Sequence, residues 1–259
     1  MRLIDTHAHL NLPEYKSDLP EVIERAKKAG IIKCLVVGID RKTCERALEL
    51  KRIYPDFLEV ILGFHPHEVR KISEEDYLWL EKNLEEAVAL GEIGLDWVKE
   101  YSPKEKQMEH LERQLHLART KKKPVVFHFR GGSDFWNLVF DFLKPYEDLP
   151  MLFHCFTADK EVATKILRFN SLISLPGILT FDKAETLREA AKFIPLERIV
   201  LETDCPFLSP HPMRGKRNEP SFLIFTAQKL AEIKKISLEE VAEITTKNAI
   251  KFFNLSLSL

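Results

Sequence analysis

Leu3-Ile4-Asp5-Thr6-His7-Ala8-His9 opens the chain, and its alternation decides how the rest is read. In an extended strand successive side chains take opposite faces, so Asp5, His7 and His9 share one face while Thr6 and Ala8 take the other. Two imidazoles side by side offer half of a metal site. Alone, His-x-His is a weak signal, because two idle histidines near the start of a chain look the same. What discriminates is whether matching ligands end other strands.

Short apolar runs recur at 34–37, 60–62, 87–90, 124–127, 151–153, 172–175 and 199–201. Between them the apolar residues shift to helical spacing, over about 19–29, 47–53, 73–84, 103–119, 135–143, 159–169, 184–193 and 219–233. A further helix covers 238–252, opened by the pair Ser237 and Glu240, which has capping-box spacing. Eight strand–helix units with short connections and no break in composition predict an α/β chain folded as a (β/α)8 TIM barrel. The barrel has an additional C-terminal helix and spans 1–259 as a single domain. An open doubly wound sheet would share the alternation, but no Gly-x-Gly-x-x-Gly follows the first strand. His9, His65, Glu92, His128, His154 and Asp204 all fall at the C-terminal ends of predicted strands. That is the rim where barrel enzymes gather their chemistry.

The 259 residues suit one such barrel, and a hydrophobic fraction of 45% is ample for a core. A formal net charge of −1 gives no global attraction to polyanions, so nucleic-acid binding must rest on a local patch or on metal. The first apolar run is interrupted by Asp5, His7 and His9, which is unlike a signal peptide, and no run approaches the roughly 18 apolar residues of a membrane span. Four cysteines without Cys-x-x-Cys or disulfide-framework spacing fit a reducing, cytoplasmic setting. Cys155 and Cys205 have the opposite strand parity to their neighbours His154 and Asp204, so they are expected to face the helices.

His7, His9, Glu92, His128, His154 and Asp204 make four imidazoles and two carboxylates. A catalytic zinc takes about three protein ligands and an open position, so the set is too large for one ion and fits two. A carboxylate can bridge two cations where a histidine cannot, which assigns the bridge to Glu92. Paired ions clamp the attacking and leaving oxygens of a phosphoryl displacement, so hydrolysis is the leading reaction class, with Asp204 able to bind an ion and receive a proton. His and carboxylate ligands accommodate Zn, Mn, Ni or Mg. Asp5 and Glu202 lie two residues from ligands on the same strand faces, placed to orient a histidine or a water. The segment 211–217 is basic beside Asp204, and Arg214 within it supplies a planar fork suited to phosphate.

Five stretches now carry a resemblance: Asp5-Thr6-His7-Ala8-His9, Gly63-Phe64-His65-Pro66-His67, Gly91-Glu92-Ile93-Gly94-Leu95-Asp96, Phe153-His154-Cys155-Phe156, and 201–208 running on into Arg214-Gly215-Lys216-Arg217-Asn218-Glu219-Pro220. Together with Thr246-Lys247-Asn248-Ala249, the chain resembles the TatD family of metal-dependent deoxyribonucleases from end to end. The resemblance implies an amidohydrolase-like barrel with two divalent metal ions, cutting DNA as an exonuclease from single-stranded or frayed 3′ ends. It implies His7, His9 and Asp204 at one metal, His128 and His154 at the other, Glu92 between them, and His65 against substrate phosphate. Where the family usually shows Ser-Arg and a nearby Asp after His128, this chain has Phe129-Arg130-Gly131-Gly132, keeping Arg130 for phosphate. Related binuclear barrels, among them phosphotriesterases and deaminases, are expected to bridge their metals with a carboxylated lysine on strand four; Glu92 stands there instead. Activity on aminoacyl-tRNA esters is a rival reaction for such a barrel, and a non-catalytic nucleic-acid-binding barrel is a rival of a different class.

Overall fold

In a computed structural model, which describes residues 1–256, eight strands form one parallel sheet in chain order. They are β1 (Leu3–Ala8), β2 (Ile31–Val37), β3 (Leu58–Leu62), β4 (Ala89–Asp96), β5 (Val125–Arg130), β6 (Met151–Phe153), β7 (Ser171–Leu175) and β8 (Ile199–Leu201). The helices between them are α1 (Leu19–Lys28), α2 (Arg41–Ile53), α3 (Glu74–Asn83), α4 (Lys104–Lys121), α5 (Ser133–Leu143), α6 (Lys160–Ile166), α7 (Glu185–Phe193) and α8 (Leu223–Lys234), with α9 (Leu238–Phe253) last. The sheet curls into a barrel whose seam is an isolated parallel bridge between Ala8 and Cys205. There His9 N donates to Cys205 O at 2.8 Å and Asp204 N to His7 O at 2.9 Å. The seam hydrogen bonds therefore run through the backbone of three predicted ligands, His7, His9 and Asp204. None of the described helices is long and apolar enough to cross a membrane, and all four cysteines are free thiols.

Alternate strand residues fill the interior: Ile4, Leu35, Ile61, Val126, Leu152 and Val200 form a cluster with Ala249, Phe253 and Leu255, so the C-terminal segment plugs the barrel. Asn248 Nδ2 donates to Leu196 O and Ile199 O, and Thr246 Oγ1 to Arg2 O, fastening α9 to the entry ends of β8 and β1. That accounts for Thr246-Lys247-Asn248-Ala249 as an anchoring motif. Ser73 caps α3 in a capping box with Asp76, as that spacing predicts. Ser237 caps α9 by accepting from Glu240 N, one half of the expected box.

One positioning device follows from α4. Gln107 and Gln114, seven residues apart on its buried face, each bracket the backbone of a strand end. Gln114 Oε1 accepts from Phe64 N at 2.8 Å while its Nε2 donates to Phe64 O at 3.1 Å. Gln107 does the same for Asp96, at 2.8 and 3.1 Å. Glutamines on a buried helix face are costly unless satisfied; these two fix the chain just before His65 and at the end of β4.

Candidate metal centre

The fourth run extends further than its apolar residues suggest: β4 continues through Glu92 to Asp96, and β5 through His128 to Arg130, so both groups project from within strands. Gly94 permits this. Its φ is +149°, and a Cβ there would lie 1.9 Å from His128 O. Strands β4 and β5 thus approach closely enough to bring Glu92 onto His128.

Glu92, 3% exposed, is the hub. Its Oε1 lies 2.8 Å from His154 Nε2, 2.9 Å from His128 Nδ1 and 3.3 Å from His65 Nε2. Its Oε2 lies 3.2 Å from His7 Nε2 and 3.9 Å from His9 Nε2. Asp204 Oδ1 completes the second group, 3.3 Å from His9 Nε2 and 3.8 Å from His7 Nε2. Donors held about 2.0–2.1 Å from one ion at tetrahedral angles stand about 3.4 Å apart. The observed separations match that spacing, and the donor set, imidazole and carboxylate without thiol, suits a divalent cation. All six predicted ligands converge, with Cys155 and Cys205 in none of the candidate groups among the described residues.

Behind each imidazole of the cluster except His7 stands a polar group. Asp96 Oδ2 lies 3.1 Å from His128 Nε2, placed to accept its proton and so leave Nδ1, on the Glu92 side, as the nitrogen that would ligate a metal. Asp96 also takes His67 Nε2 at 2.8 Å and the backbone N–H groups of Val98 and Lys99 at 2.9 and 2.8 Å, and is fully buried. Glu202 Oε1 accepts from Cys155 N at 2.7 Å and lies 3.3 Å from His154 Nδ1, outside good hydrogen-bond alignment. His9 Nδ1 faces Val37 O at 3.1 Å, and His7 Nδ1 is buried without a partner. His65 Nδ1 accepts from His67 N at 3.0 Å, so its own proton is on Nε2. It is a hydrogen-bond donor at the centre of the site and not a lone-pair ligand.

Charge follows the same pattern. Burial opposes ionisation of Glu92, but the imidazoles of His154, His65 and His7 outweigh it and hold the carboxyl well below the usual range. Burial likewise disfavours a charged His154, yet Glu92 and Glu202 raise its pKa well above the ordinary histidine value. In Asp96 burial is overcome by hydrogen bonds from His128, His67 and Lys99 N, leaving a firm carboxylate. Glu92, Asp96, Glu202 and Asp204 thus stand among six histidines, His7, His9, His65, His67, His128 and His154, a donor set that suits divalent cations.

The remaining predicted residues sit differently. Asp5 touches no imidazole among the described residues: it accepts from Thr203 N at 2.9 Å, Thr203 Oγ1 at 2.6 Å and His7 N at 3.3 Å, so it ties β1 to the β8 loop. Arg130 is exposed at the rim, with its side chain unpaired among the described residues. Arg214 is already engaged, donating to Ser209 O and lying 4.0 Å from the centre of the Phe181 ring. Asp96 and His67 take no role from sequence pattern alone, although both lie inside family-like motifs. Asp96 shares strand parity with Glu92, the signal that could have placed it.

A family model described as TatD related DNase matches residues 4–254. The chain is 42% identical over 258 residues to a Bacillus subtilis protein named uncharacterized metal-dependent hydrolase YabD, covering 98% of this chain and 100% of that one. It is 33% identical over 264 residues to an Erwinia tasmaniensis protein named 3'-5' ssDNA/RNA exonuclease TatD, covering 98% and 100%. The solved structure of YJJV, a TatD homolog from Escherichia coli K12, superposes with a TM-score of 0.91 at 28% identity over 98% of this chain and 99% of that one.

Proposed function

We propose that this chain, which belongs to the TatD family of metal-dependent hydrolases, cleaves phosphodiester bonds in DNA as a 3′ to 5′ exonuclease with a binuclear metal site. The observation that carries the reading is the divided carboxylate of Glu92, whose Oε1 faces His128 and His154 while Oε2 faces His7 and His9. His7, His9 and Asp204 would hold one ion, His128 and His154 the other, with Glu92 shared. When bound, such a pair supplies Lewis-acid polarisation of a phosphoryl oxygen and a more acidic attacking water.

The chain's own groups do the rest. His65 Nε2–H donates to a non-bridging phosphate oxygen, and its tautomer is fixed for that by His67 N. Arg130, exposed and unpaired, binds the next phosphate along the strand. Asp204 faces His9 and His7 through Oδ1, so Oδ2 is the oxygen that takes a proton from the attacking water and returns it to the departing 3′ oxygen. The partner is a nucleic-acid strand end.

Glu92→Ala removes the shared ligand and is expected to lower cleavage of a single-stranded oligodeoxynucleotide by at least about a thousandfold. Purified protein reconstituted with Mn, Mg, Zn or Ni should hold two ions per chain by elemental analysis and release 5′-mononucleotides, and chelation should abolish release. Full activity in the Glu92→Ala protein, or a single ion in the active wild type, defeats the binuclear reading.

A further inference from the structure

Large apolar side chains that remain exposed are few among the described residues, and only three are aromatic: Tyr101, Phe193 and Phe207. Phe193 is covered by the Lys160 ammonium, 4.6 Å from its ring centre. The other two stand beside the metal centre on opposite sides of it. The Phe207 ring, 50% exposed, packs edge-on against His9 at 6.1 Å. The Tyr101 ring, 55% exposed, packs edge-on against His67 at 4.8 Å. Between them runs an arc of imidazoles, His9 to His7 at 5.1 Å, His7 to His154 at 3.8 Å, His154 to His128 at 5.7 Å and His128 to His67 at 5.9 Å.

Both rings ride on loops tied to the site. Phe207 N donates to Asp204 O at 3.0 Å, and Phe207 O accepts from Asn218 Nδ2 at 2.6 Å. Tyr101 lies between Lys99, whose N–H is held by Asp96, and Ser102, whose Oγ donates to His67 O at 2.9 Å. The rings are therefore fixed in relation to the proposed ligands while keeping half their surface in water. Burying an aromatic ring is favourable, so a ligand that covers either ring gains from doing so.

We propose that Tyr101 and Phe207 are stacking platforms for the two nucleobases that flank the phosphate held at the metal centre. This rests on the nucleic-acid reading of the site and deepens it, by assigning the residues that make a single strand the substrate. Bases in a duplex are already stacked on their neighbours, whereas those of an unpaired strand can turn a face to each ring; every base has such a face, so selection is for strandedness and not sequence.

The test is steady-state cleavage of a single-stranded oligodeoxynucleotide by Tyr101→Ala, Phe207→Ala and the Trp variants at both positions. Each Ala variant is expected to raise KM roughly tenfold with kcat within about twofold, and each Trp variant to retain the wild-type KM. A substrate carrying an abasic residue beside the scissile phosphate should cost the wild type the same factor and the matching Ala variant nothing further. Wild-type KM in both Ala variants, or an equal loss on abasic and intact strands, overturns the proposal. Fluorescence anisotropy of a labelled single strand on the Glu92→Ala protein separates this from the nuclease reading. Strand binding weakened by either Ala substitution upholds the platforms even where nothing is cut, and strand binding indifferent to both sinks them.

Discussion

The two halves of the candidate metal centre are built on different plans. At the barrel seam, where β1 meets the β8 loop, the polar groups serve the backbone first. Asp5 clips Thr203, His9 and Asp204 carry the seam hydrogen bonds on their own N–H groups, and Asp204 sits in the left-handed region at φ 53°. On the far side, around His128 on β5 and His154 just after β6, the imidazoles have carboxylates behind them: Asp96 at the end of β4 stands behind His128, and Glu202, reaching across from the end of β8, stands beside His154. Mutations should accordingly unfold the seam and loosen metal on the far side.

The largest expected effect tests the seam. Asp5→Ala strips acceptors from Thr203 N, Thr203 Oγ1 and His7 N, all buried, and unsatisfied buried donors cost about 1–3 kcal/mol each before relaxation. A loss of about 3 kcal/mol in urea unfolding is expected, with two ions still bound by the folded protein. Burial, set against the Thr203 and His7 hydrogen bonds, pushes the Asp5 carboxyl up to about 7, so a neutral amide fits there. Asp5→Asn should therefore cost less than about 1 kcal/mol. Metal loss in a stably folded Asp5→Ala protein would make the seam clip a part of the metal site and erase the contrast.

Next comes the far side. Asp96→Asn keeps an oxygen for the Val98 and Lys99 N–H groups but removes the charge that fixes the His128 tautomer. Partners of this kind typically alter metal affinity by about 10–100-fold. We expect one of the two ions to weaken by about thirtyfold in titration calorimetry, with unfolding changed by less than about 1 kcal/mol. Equal weakening of both ions would mean that Asp96 acts through the general field of the site.

How far the sequence can be read follows the same division. Strand parity is enough to align His7 with His9, and run ends are enough to bring His128, His154 and Asp204 to one rim, because a barrel converts position along a strand into height. The eight strands and the plugging helix are legible for the same reason. Parity misjudges Asp5: a register shift between Asp5 and Ala8 breaks the alternation, so Asp5 takes the face opposite to interior Ile4, beside Cys34, and meets the seam backbone instead of an imidazole. Asp96 escapes because the fourth apolar run stops at Leu90, and only Gly94, by letting β5 close in, carries the strand on to Asp96. Gln107 and Gln114 are invisible because a helix face is read from its apolar stripe, and a polar residue on that face announces nothing until its partners are known.

Glu202 should show a smaller effect than Asp96. It is fully buried, but its approach to His154 Nδ1 is poorly aligned, and its firm hydrogen bond is to Cys155 N. Glu202→Gln retains that bond, so a metal-affinity loss of about tenfold or less is expected in the same calorimetry. A loss exceeding that of Asp96→Asn would show that charge close to His154 matters more than hydrogen-bond geometry.

The smallest effect separates arginines that complete the fold from one free to meet substrate. Arg217 belongs to the basic stretch after β8, yet its guanidinium makes a two-pronged bond to Asp18, at 2.9 and 2.6 Å, and covers the Tyr15 ring at 4.6 Å. Asp18 is correspondingly held below the ordinary carboxylate range, chiefly by that hydrogen bond. The pair is partly exposed, at 30% and 34% of the two side chains, so solvent screens it and it contributes at most about 1 kcal/mol. Arg130 has no such partner among the described residues and stands beside the His128 strand end. Arg217→Ala should shift urea unfolding by less than about 1 kcal/mol and leave KM for a single strand unchanged, whereas Arg130→Ala should leave stability alone and raise KM severalfold with a weaker salt dependence. The reverse pattern would return phosphate recognition to the basic stretch, and would mean that the charge run carries binding through Arg217 despite its bond to Asp18.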